Sequence, residues 1–238
     1  MRVLGIDLAA QPEKTGVVLL DFPDEAPIPV AHLVSERATD DALVAQAKVV
    51  DRIGVDAPLG WPTAFVKAMV SHAEHEGWRN PTTGKHLTHR LTDHVVHKLT
   101  GLWPLSVSTD KLGIVAFRCA HLQERFAMEA WNGAHAPRDG SGPLVETYPA
   151  AALCSWDLVY RKYKGDSEEN VRKTILDGLR PRADLREVEQ EAVRSDHVLD
   201  ALISGLVVVE AERERTTTPE TEEEIAAARV EGWIHVPV

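Results

Sequence analysis

The stretch VLGIDLAAQPEKTGVVLLDF, residues 3–22, decides the fold that we expect for this chain. It holds two apolar, β-favouring runs, at residues 3–8 and 16–22, and the turn-forming residues QPEK at 11–14 separate them by the distance of a hairpin. A Pro-rich break at residues 23–29 precedes a third short run at residues 30–34. The chain is therefore predicted to begin with three antiparallel strands.

The segments that follow predict an α/β fold. Residues 40–50 show helical spacing behind a possible N-cap, Thr39, and residues 52–57 form a fourth apolar run. A strand after a crossover helix lies parallel to the first strand, so the sheet is expected to be mixed and flanked by helices. Residues 144–147 predict a fifth strand, and residues 58–143 between them predict a mainly helical insertion.

Further helices are predicted at residues 150–160, 167–179 and 195–212, and the apolar residues 231–237 are expected to pack back on the core. Residues 1–238 are thus predicted to form one domain, for which the hydrophobic fraction of 44% is sufficient.

Composition limits the classes of protein. No apolar run approaches the ~20 residues of a membrane helix, and the N-terminus is typical of a first strand, so we expect a cytoplasmic protein without membrane partners. Cys119 and Cys154 lack metal-type or redox-type spacing, which favours two reduced thiols. The oligomeric state stays open.

The charge distribution is uneven. A formal net charge of -11 argues against a protein that coats nucleic acid. Residues 78–125 nevertheless contain seven Lys or Arg against three acidic residues, whereas residues 210–231 contain eight acidic residues and three Arg. The first region is a candidate for local contact with a nucleic acid or nucleotide, and the second is typical of a solvated linker and helix face.

Acidic residues end three of the predicted strands. Asp7, Asp56 and Glu146 each follow an apolar run, and a carboxylate there loses hydration unless a cation or hydrogen bonds replace it. The carboxyl ends of parallel strands meet at one edge of a sheet, so we expect these residues to lie together. Taken singly, each acid is more often a turn-capping residue.

The last predicted helix adds Asp196 and Asp200, which are four residues apart and share one face. Asp196 is equally well explained as a first-turn acid behind the N-cap Ser195, whereas Asp200 lies a turn deeper. Asp7, Asp56, Asp196 and Asp200 are therefore candidate ligands of Mg²⁺ or Mn²⁺, and Asp7, Asp56, Glu146 and Asp200 are candidate catalytic residues for phosphodiester hydrolysis.

Six segments resemble, in this order, the family called domain of unknown function 429: GIDLA (5–9), GVDAPLGWP (54–62), RLTD (90–93), VETYPAA (145–151), SDHVLDALISG (195–205) and EGWIHVP (231–237). The resemblance covers nearly the whole chain. Members are regarded as predicted nucleases of the ribonuclease H-like fold, which implies a five-stranded mixed sheet whose first three strands are antiparallel. It also implies that the acids of strand one, strand four and a late helix are Asp7, Asp56 and Asp200; Glu146 and Asp196 match family motifs as well.

The insertion contains the histidine-rich segment HLTHRLTDHVVHKL at residues 86–99. On one continuous helix, His86, Arg90, Asp93 and His97 would share a face, with His89 and His94 beside it. The spacing fits no closed zinc site, so substrate contact by Arg90, Asp93 and Lys98 is preferred to zinc binding. A solvated helix face that only covers the core explains the segment equally well. Trp61, Trp78 and Trp103 are candidates for base stacking or for packing.

A metal-dependent nuclease or other phosphodiesterase is the favoured function. An ATP-dependent kinase-like protein of the actin-like ATPase superfamily shares the strand and hairpin opening, but glycine-rich phosphate loops are missing from this sequence. A non-catalytic scaffold that keeps the acids for stability is the third possibility; it predicts no stabilisation by Mg²⁺ or Mn²⁺ beyond a salt effect.

Overall fold

The computed structural model describes residues 1–23, 26–76, 78 and 84–238. Arg79, one of the basic residues counted in the insertion, lies outside this part of the chain. The strands are β1 (Arg2–Asp7), β2 (Gly16–Asp21), β3 (Val30–Ser35), β4 (Arg52–Val55), β5 (Leu144–Thr147) and β6 (Ile234–His235). The helices are α1 (Asp40–Ala47), α2 (Thr63–Ala73), α3 (Lys85–Thr88), α4 (Leu91–Thr100), α5 (Gly113–Glu129), α6 (Pro149–Ser155), α7 (Glu169–Leu179), α8 (Glu189–Arg194), α9 (Asp196–Glu212) and α10 (Glu222–Glu231).

The sheet has the predicted mixed topology, with the strand order β3-β2-β1-β4-β5-β6. The first three strands are antiparallel, and β4 and β5 continue the sheet in parallel with β1. The C-terminal segment packs back on the core, as expected, and it adds a short sixth strand to the five that the family resemblance implies. Ile234 of β6 pairs with Glu146 of β5 in the parallel direction.

Helices cover both faces of the sheet. Helix α9 packs across β1, β2 and β4 and supplies the largest share of one buried apolar cluster. The other face is covered by α1 and α5, whose Leu43, Leu122 and Phe126 join the cluster around Leu4 and Ile6. Helix α5 lies within the predicted insertion, yet it belongs to the layer that covers the sheet. None of the helices in the described ranges is both long and apolar enough to cross a membrane.

Two glycines allow α9 to approach the sheet closely. A Cβ atom on Gly5 of β1 would lie 1.9 Å from the carbonyl oxygen of Ala201, and one on Gly54 of β4 would lie 2.4 Å from that of Ser204. Any larger residue at either position would collide with the helix backbone. The close contact fixes where α9 crosses β1 and β4, and Asp200 lies on the turn of α9 that makes it.

Capping residues set the start of two helices as predicted. The hydroxyl of Thr39 accepts a hydrogen bond from the backbone N–H of Ala42 at the start of α1, and Ser195 accepts one from Val198 at the start of α9. Helix α6 ends at Ser155, five residues before the predicted end. Asp157 adopts a left-handed backbone conformation there, with φ of 58°, which a continuing helix does not allow.

Candidate metal centre and adjoining cavity

Asp7, Asp56 and Asp200 form an acidic triad at the carboxyl edge of the sheet. One carboxylate oxygen from each residue lies within 4.8 Å of one from each of the others. Asp7 is the last residue of β1, and Asp56 directly follows β4, whose Val55 pairs with Ile6. The parallel pairing brings the two strand ends side by side. Helix α9, which packs closely on β1 and β4, adds Asp200 from one face of the sheet.

Burial and mutual repulsion oppose ionisation within the triad. Burial raises the pKa of Asp200 to about 6, and the negative charge of Asp7 contributes to the increase. Burial also raises the pKa of Asp56 well above its ordinary value, and the charge of Asp7 is the next largest cause. Three oxygen donors that repel one another favour a bound hard cation, because a divalent ion removes the repulsion and replaces lost hydration.

Cationic and phenolic side chains surround the triad. The ammonium group of Lys164 lies 2.7 Å from Asp200 Oδ2, and the hydroxyl of Tyr163 donates a hydrogen bond of 2.9 Å to Oδ1 of the same residue. On the other side, His197 Nδ1 lies 2.6 Å from Asp7 Oδ2, and this hydrogen bond raises the pKa of the imidazole. The Lys164 side chain is 60% exposed, whereas that of Asp200 is 1% exposed.

Sequence reasoning missed Lys164 and His197 as neighbours of the triad. His197 lies within the motif at residues 195–205 but was not singled out. The basic run RKYK at residues 161–164 was the available signal for Lys164. Lys164 and Asp200 are 36 residues apart in the sequence, and only the tertiary structure brings them together.

Glu146 does not join the triad. It is 2% exposed and accepts hydrogen bonds from Arg90 Nη1 and Nη2 at 2.9 and 2.7 Å, and from the backbone N–H of Leu59 at 3.0 Å. Burial raises its pKa, and the Arg90 guanidinium opposes that increase. Glu146 therefore lies at the predicted edge of the sheet and lines the same cavity as Asp7 and Asp56, but an arginine from the insertion neutralises it outside the triad.

Arg90 and Asp93 are internal residues, not surface contacts for substrate. The Arg90 guanidinium uses its five N–H donors within the protein, on both Glu146 oxygens, both Asp93 oxygens and the carbonyl oxygen of Glu231. This arrangement corrects the predicted substrate contact, since no donor remains for a phosphate. Asp93 is fully buried, and Lys98 is exposed and does not line the cavity described below.

The histidine-rich segment is two helices rather than one. Helix α3 ends at Thr88, and α4 begins at Leu91, where the carboxylate of Asp93 accepts the backbone N–H of Arg90. Because the helix is interrupted between Thr88 and Leu91, His86 lies on a different helix from Asp93 and His97, and the four residues do not share the face of one continuous helix. The carboxylate of Asp93 is not available on a helix surface either, because it accepts the backbone N–H of Arg90.

The histidines of α4 gather around Trp103 instead of forming a zinc site. The ring of His97 stacks on Trp103 at a centroid distance of 4.0 Å, His94 meets it edge-on, and Lys85 Nζ lies 3.3 Å from the ring centroid. Within the described ranges, the acidic triad is the only group of three potential ligands so closely spaced. Trp61 contacts Phe117, and neither it nor Trp103 lines the cavity.

Asp196 lies outside the triad. Its Oδ2 accepts a hydrogen bond of 3.0 Å from the backbone N–H of Gly165, and its Oδ1 lies 4.0 Å from His197 Nε2. The residue therefore anchors the loop that carries Lys164 while also acting as a first-turn acid of α9.

A cavity of about 330 Å³ adjoins the triad. Asp7, Asp56 and Lys164 line one end, and Glu146 with Arg90 lies at another part of its wall. Apolar groups from three parts of the chain complete it: Leu8, Ala57, Pro58, Pro104, Leu105, Leu112, Pro149 and Ile234. Tyr148, directly after β5, also lines this space. The triad thus opens on a mainly apolar space large enough for a small ligand.

Comparison with known proteins identifies the family and nothing more specific. The family model described as "Protein of unknown function (DUF429)" matches residues 5–224, so the chain belongs to this family. No curated protein and no solved structure matched the chain.

Proposed function

We propose that this DUF429 protein is a metal-dependent phosphodiesterase of the nuclease type, with Mg²⁺ or Mn²⁺ held by Asp7, Asp56 and Asp200. The observation that carries the proposal is the approach of three carboxylate oxygens to within 4.8 Å at the edge of the sheet. Such a set of hard oxygen donors suits these two cations. The mixed sheet with acids on its first and fourth strands also agrees with the ribonuclease H-like fold that the family resemblance implies.

The raised pKa values of Asp56 and Asp200 support a cation site over a purely structural one. A carboxylate that serves stability alone is usually paired with enough positive charge to lower its pKa. Here Lys164 and His197 compensate the triad only partly, and both side chains are accessible, at 60% and 38% exposure. We infer that the site is built to accept additional positive charge.

The reaction is hydrolysis at phosphorus. A divalent ion held by Asp7, Asp56 and Asp200 would supply an acidified water molecule and would stabilise charge on the leaving oxygen. The water oxygen forms a bond to phosphorus, the ester P–O bond breaks, and the leaving oxygen takes up a proton, so the products are a phosphate monoester and an alcohol. Lys164 moves from Asp200 to a phosphate oxygen, and His197 orients Asp7 through its hydrogen bond.

The test measures cation binding and hydrolysis in the same samples. Mn²⁺ should raise the melting temperature of the wild-type protein and should support hydrolysis of bis(p-nitrophenyl) phosphate. Asp56→Asn should abolish the Mn²⁺-dependent stabilisation and reduce hydrolysis by about 100-fold or more. Asp177→Asn is the matched control, because Asp177 is 70% exposed on α7 and forms a surface pair with Arg180.

Two results would overturn the proposal. One is hydrolysis that is equal in wild type and Asp56→Asn. The other is a wild-type protein that gains no stability from Mn²⁺ beyond the effect of the same ionic strength of NaCl, which the scaffold hypothesis predicts.

A further inference from the structure

We infer that the cavity beside the triad binds a single nucleobase, so that the substrate is a small nucleotide ester rather than the interior of a nucleic-acid duplex. This inference rests on the proposed function and adds the class of substrate. It follows from the shape of the cavity, from the aromatic ring in its wall and from the small number of available cations.

The size of the cavity fits one planar group. Its volume of about 330 Å³ lies at the low end of the range for small-ligand sites. The lining combines Leu105 and Leu112 of the insertion with Leu8 and Pro58, which follow β1 and β4. A base within a duplex remains stacked, and it enters such a pocket only if it is first flipped out at a cost in free energy.

Tyr148 provides the surface on which a base can stack. It follows Thr147 at the end of β5, so the strand that also carries Glu146 places its ring at the same edge as the triad. Tyr163, the other tyrosine of the cavity wall, is 2% exposed and its hydroxyl is bound to Asp200. Tyr148 is partly exposed and lines the cavity. Bases of any identity stack on an accessible aromatic ring, so contact with Tyr148 would select for a nucleotide without selecting the base.

The available positive charge suits one phosphate rather than a chain of them. Lys164 and Arg90 are the cationic residues among the described residues of the cavity wall, and the donors of Arg90 are all used inside the protein. Lys98 does not reach the cavity. With a net charge of -11, the protein repels a long polyanion, and duplex binding depends on several phosphate contacts.

Calorimetric titrations in the presence of Mg²⁺ test the inference without relying on turnover. The probes are adenosine 5′-monophosphate, ribose 5-phosphate, which has the phosphate and sugar but no base, and a short blunt DNA duplex. We expect the nucleotide to bind at least about 10-fold more tightly than ribose 5-phosphate, and the duplex to bind no more tightly per strand end than the nucleotide.

Variants identify the group responsible. Tyr148→Phe should keep the preference for the nucleotide, whereas Tyr148→Leu, which keeps apolar volume but lacks a ring, should reduce it to less than about threefold. Phe117→Ala is the control, since Phe117 is an exposed aromatic residue that does not line the cavity. Circular dichroism confirms that each variant is folded.

Equal binding of ribose 5-phosphate and the nucleotide would overturn the inference, as would tighter binding of the duplex or an unchanged preference in Tyr148→Leu. These failures are distinct from failure of the proposed function. If bis(p-nitrophenyl) phosphate is hydrolysed with dependence on Asp56 but no base preference exists, only the substrate class is wrong. If the base preference exists without any hydrolysis, only the reaction is wrong.

Discussion

Lys164 Nζ lies 2.7 Å from Asp200 Oδ2, so an exposed lysine neutralises the most deeply buried carboxylate of the triad. The charges of Asp200, Asp56 and Asp7 raise the pKa of Lys164, which keeps it protonated at all ordinary pH values. A cation at the triad and the ammonium group of Lys164 therefore compete for the same negative charge.

Replacing this lysine should affect cation binding and turnover in opposite directions. Lys164→Met removes the competing charge, and we expect Mn²⁺ to bind about 10-fold more tightly, which corresponds to ~1.4 kcal/mol. Hydrolysis of bis(p-nitrophenyl) phosphate should fall, because the variant lacks the ammonium group that binds the phosphate.

Titration with Mn²⁺ and steady-state kinetics measure the two effects. Lys162→Met, on the same loop but outside the cavity wall, is the control. Weaker Mn²⁺ binding in Lys164→Met would contradict the competition.

The triad should make the cation-free protein less stable as the pH rises. Asp200 has a folded pKa of about 6, above its unfolded value of 3.8, so the folded state holds a proton that the unfolded state has lost. Stability from this proton is present below about pH 4 and is lost as the pH rises through about 6.

Urea unfolding in EDTA should show this loss, and the difference between wild type and Asp200→Asn isolates the contribution of Asp200. Mn²⁺ affinity should increase over the same range, since ligands must be deprotonated. A wild-type minus variant difference that does not change with pH would contradict the assignment.

Gly54 should tolerate no side chain. In Gly54→Ala the new Cβ atom would lie 2.4 Å from the carbonyl oxygen of Ser204, so α9 must move away from β4 and carry Asp200 with it. We expect a loss of about 2 kcal/mol or more in the free energy of unfolding and weaker Mn²⁺ binding by the folded fraction. Gly113→Ala is the matched control, because a Cβ there meets nothing within 4 Å and alanine favours the helix. Urea unfolding measures both, and equal stability of the two variants would show that α9 does not depend on this contact.

The buried ion cluster should be far more sensitive than a surface pair. Arg90→Met leaves Glu146 and Asp93 buried without their cation, and we expect a loss of about 3–5 kcal/mol. Arg125→Met, which breaks a partly exposed pair with Asp41 and Glu129, should cost about 1 kcal/mol or less. Chemical denaturation of both variants makes the comparison. A small cost for Arg90→Met, together with weakened binding of adenosine 5′-monophosphate, would instead support the original prediction of substrate contact.

Local sequence signals were sufficient for most of the fold. The alternation of apolar and turn residues placed β1, β2 and β3 to within a residue of their observed ends, and side-chain caps at Thr39 and Ser195 marked two helix starts. These features depend on interactions between residues close in sequence, which is why they are visible in it. The break between α3 and α4 was missed although a local signal was available, because the carboxylate of Asp93 accepts the backbone N–H of Arg90 only three residues before it.

The sequence by itself determined which residues carry acidic groups at strand ends, and the parallel arrangement that brings Asp7 to Asp56 follows from strand and helix patterns alone. Only the tertiary structure decided which of these carboxylates remain available to bind a cation. Arg90 takes Glu146 into a closed ion cluster, Gly165 takes one oxygen of Asp196, and Lys164 comes to Asp200 from a separate loop. The reason is physical: the charge state of a carboxylate depends on groups within a few ångströms, and in a folded chain most of those groups come from distant parts of the sequence.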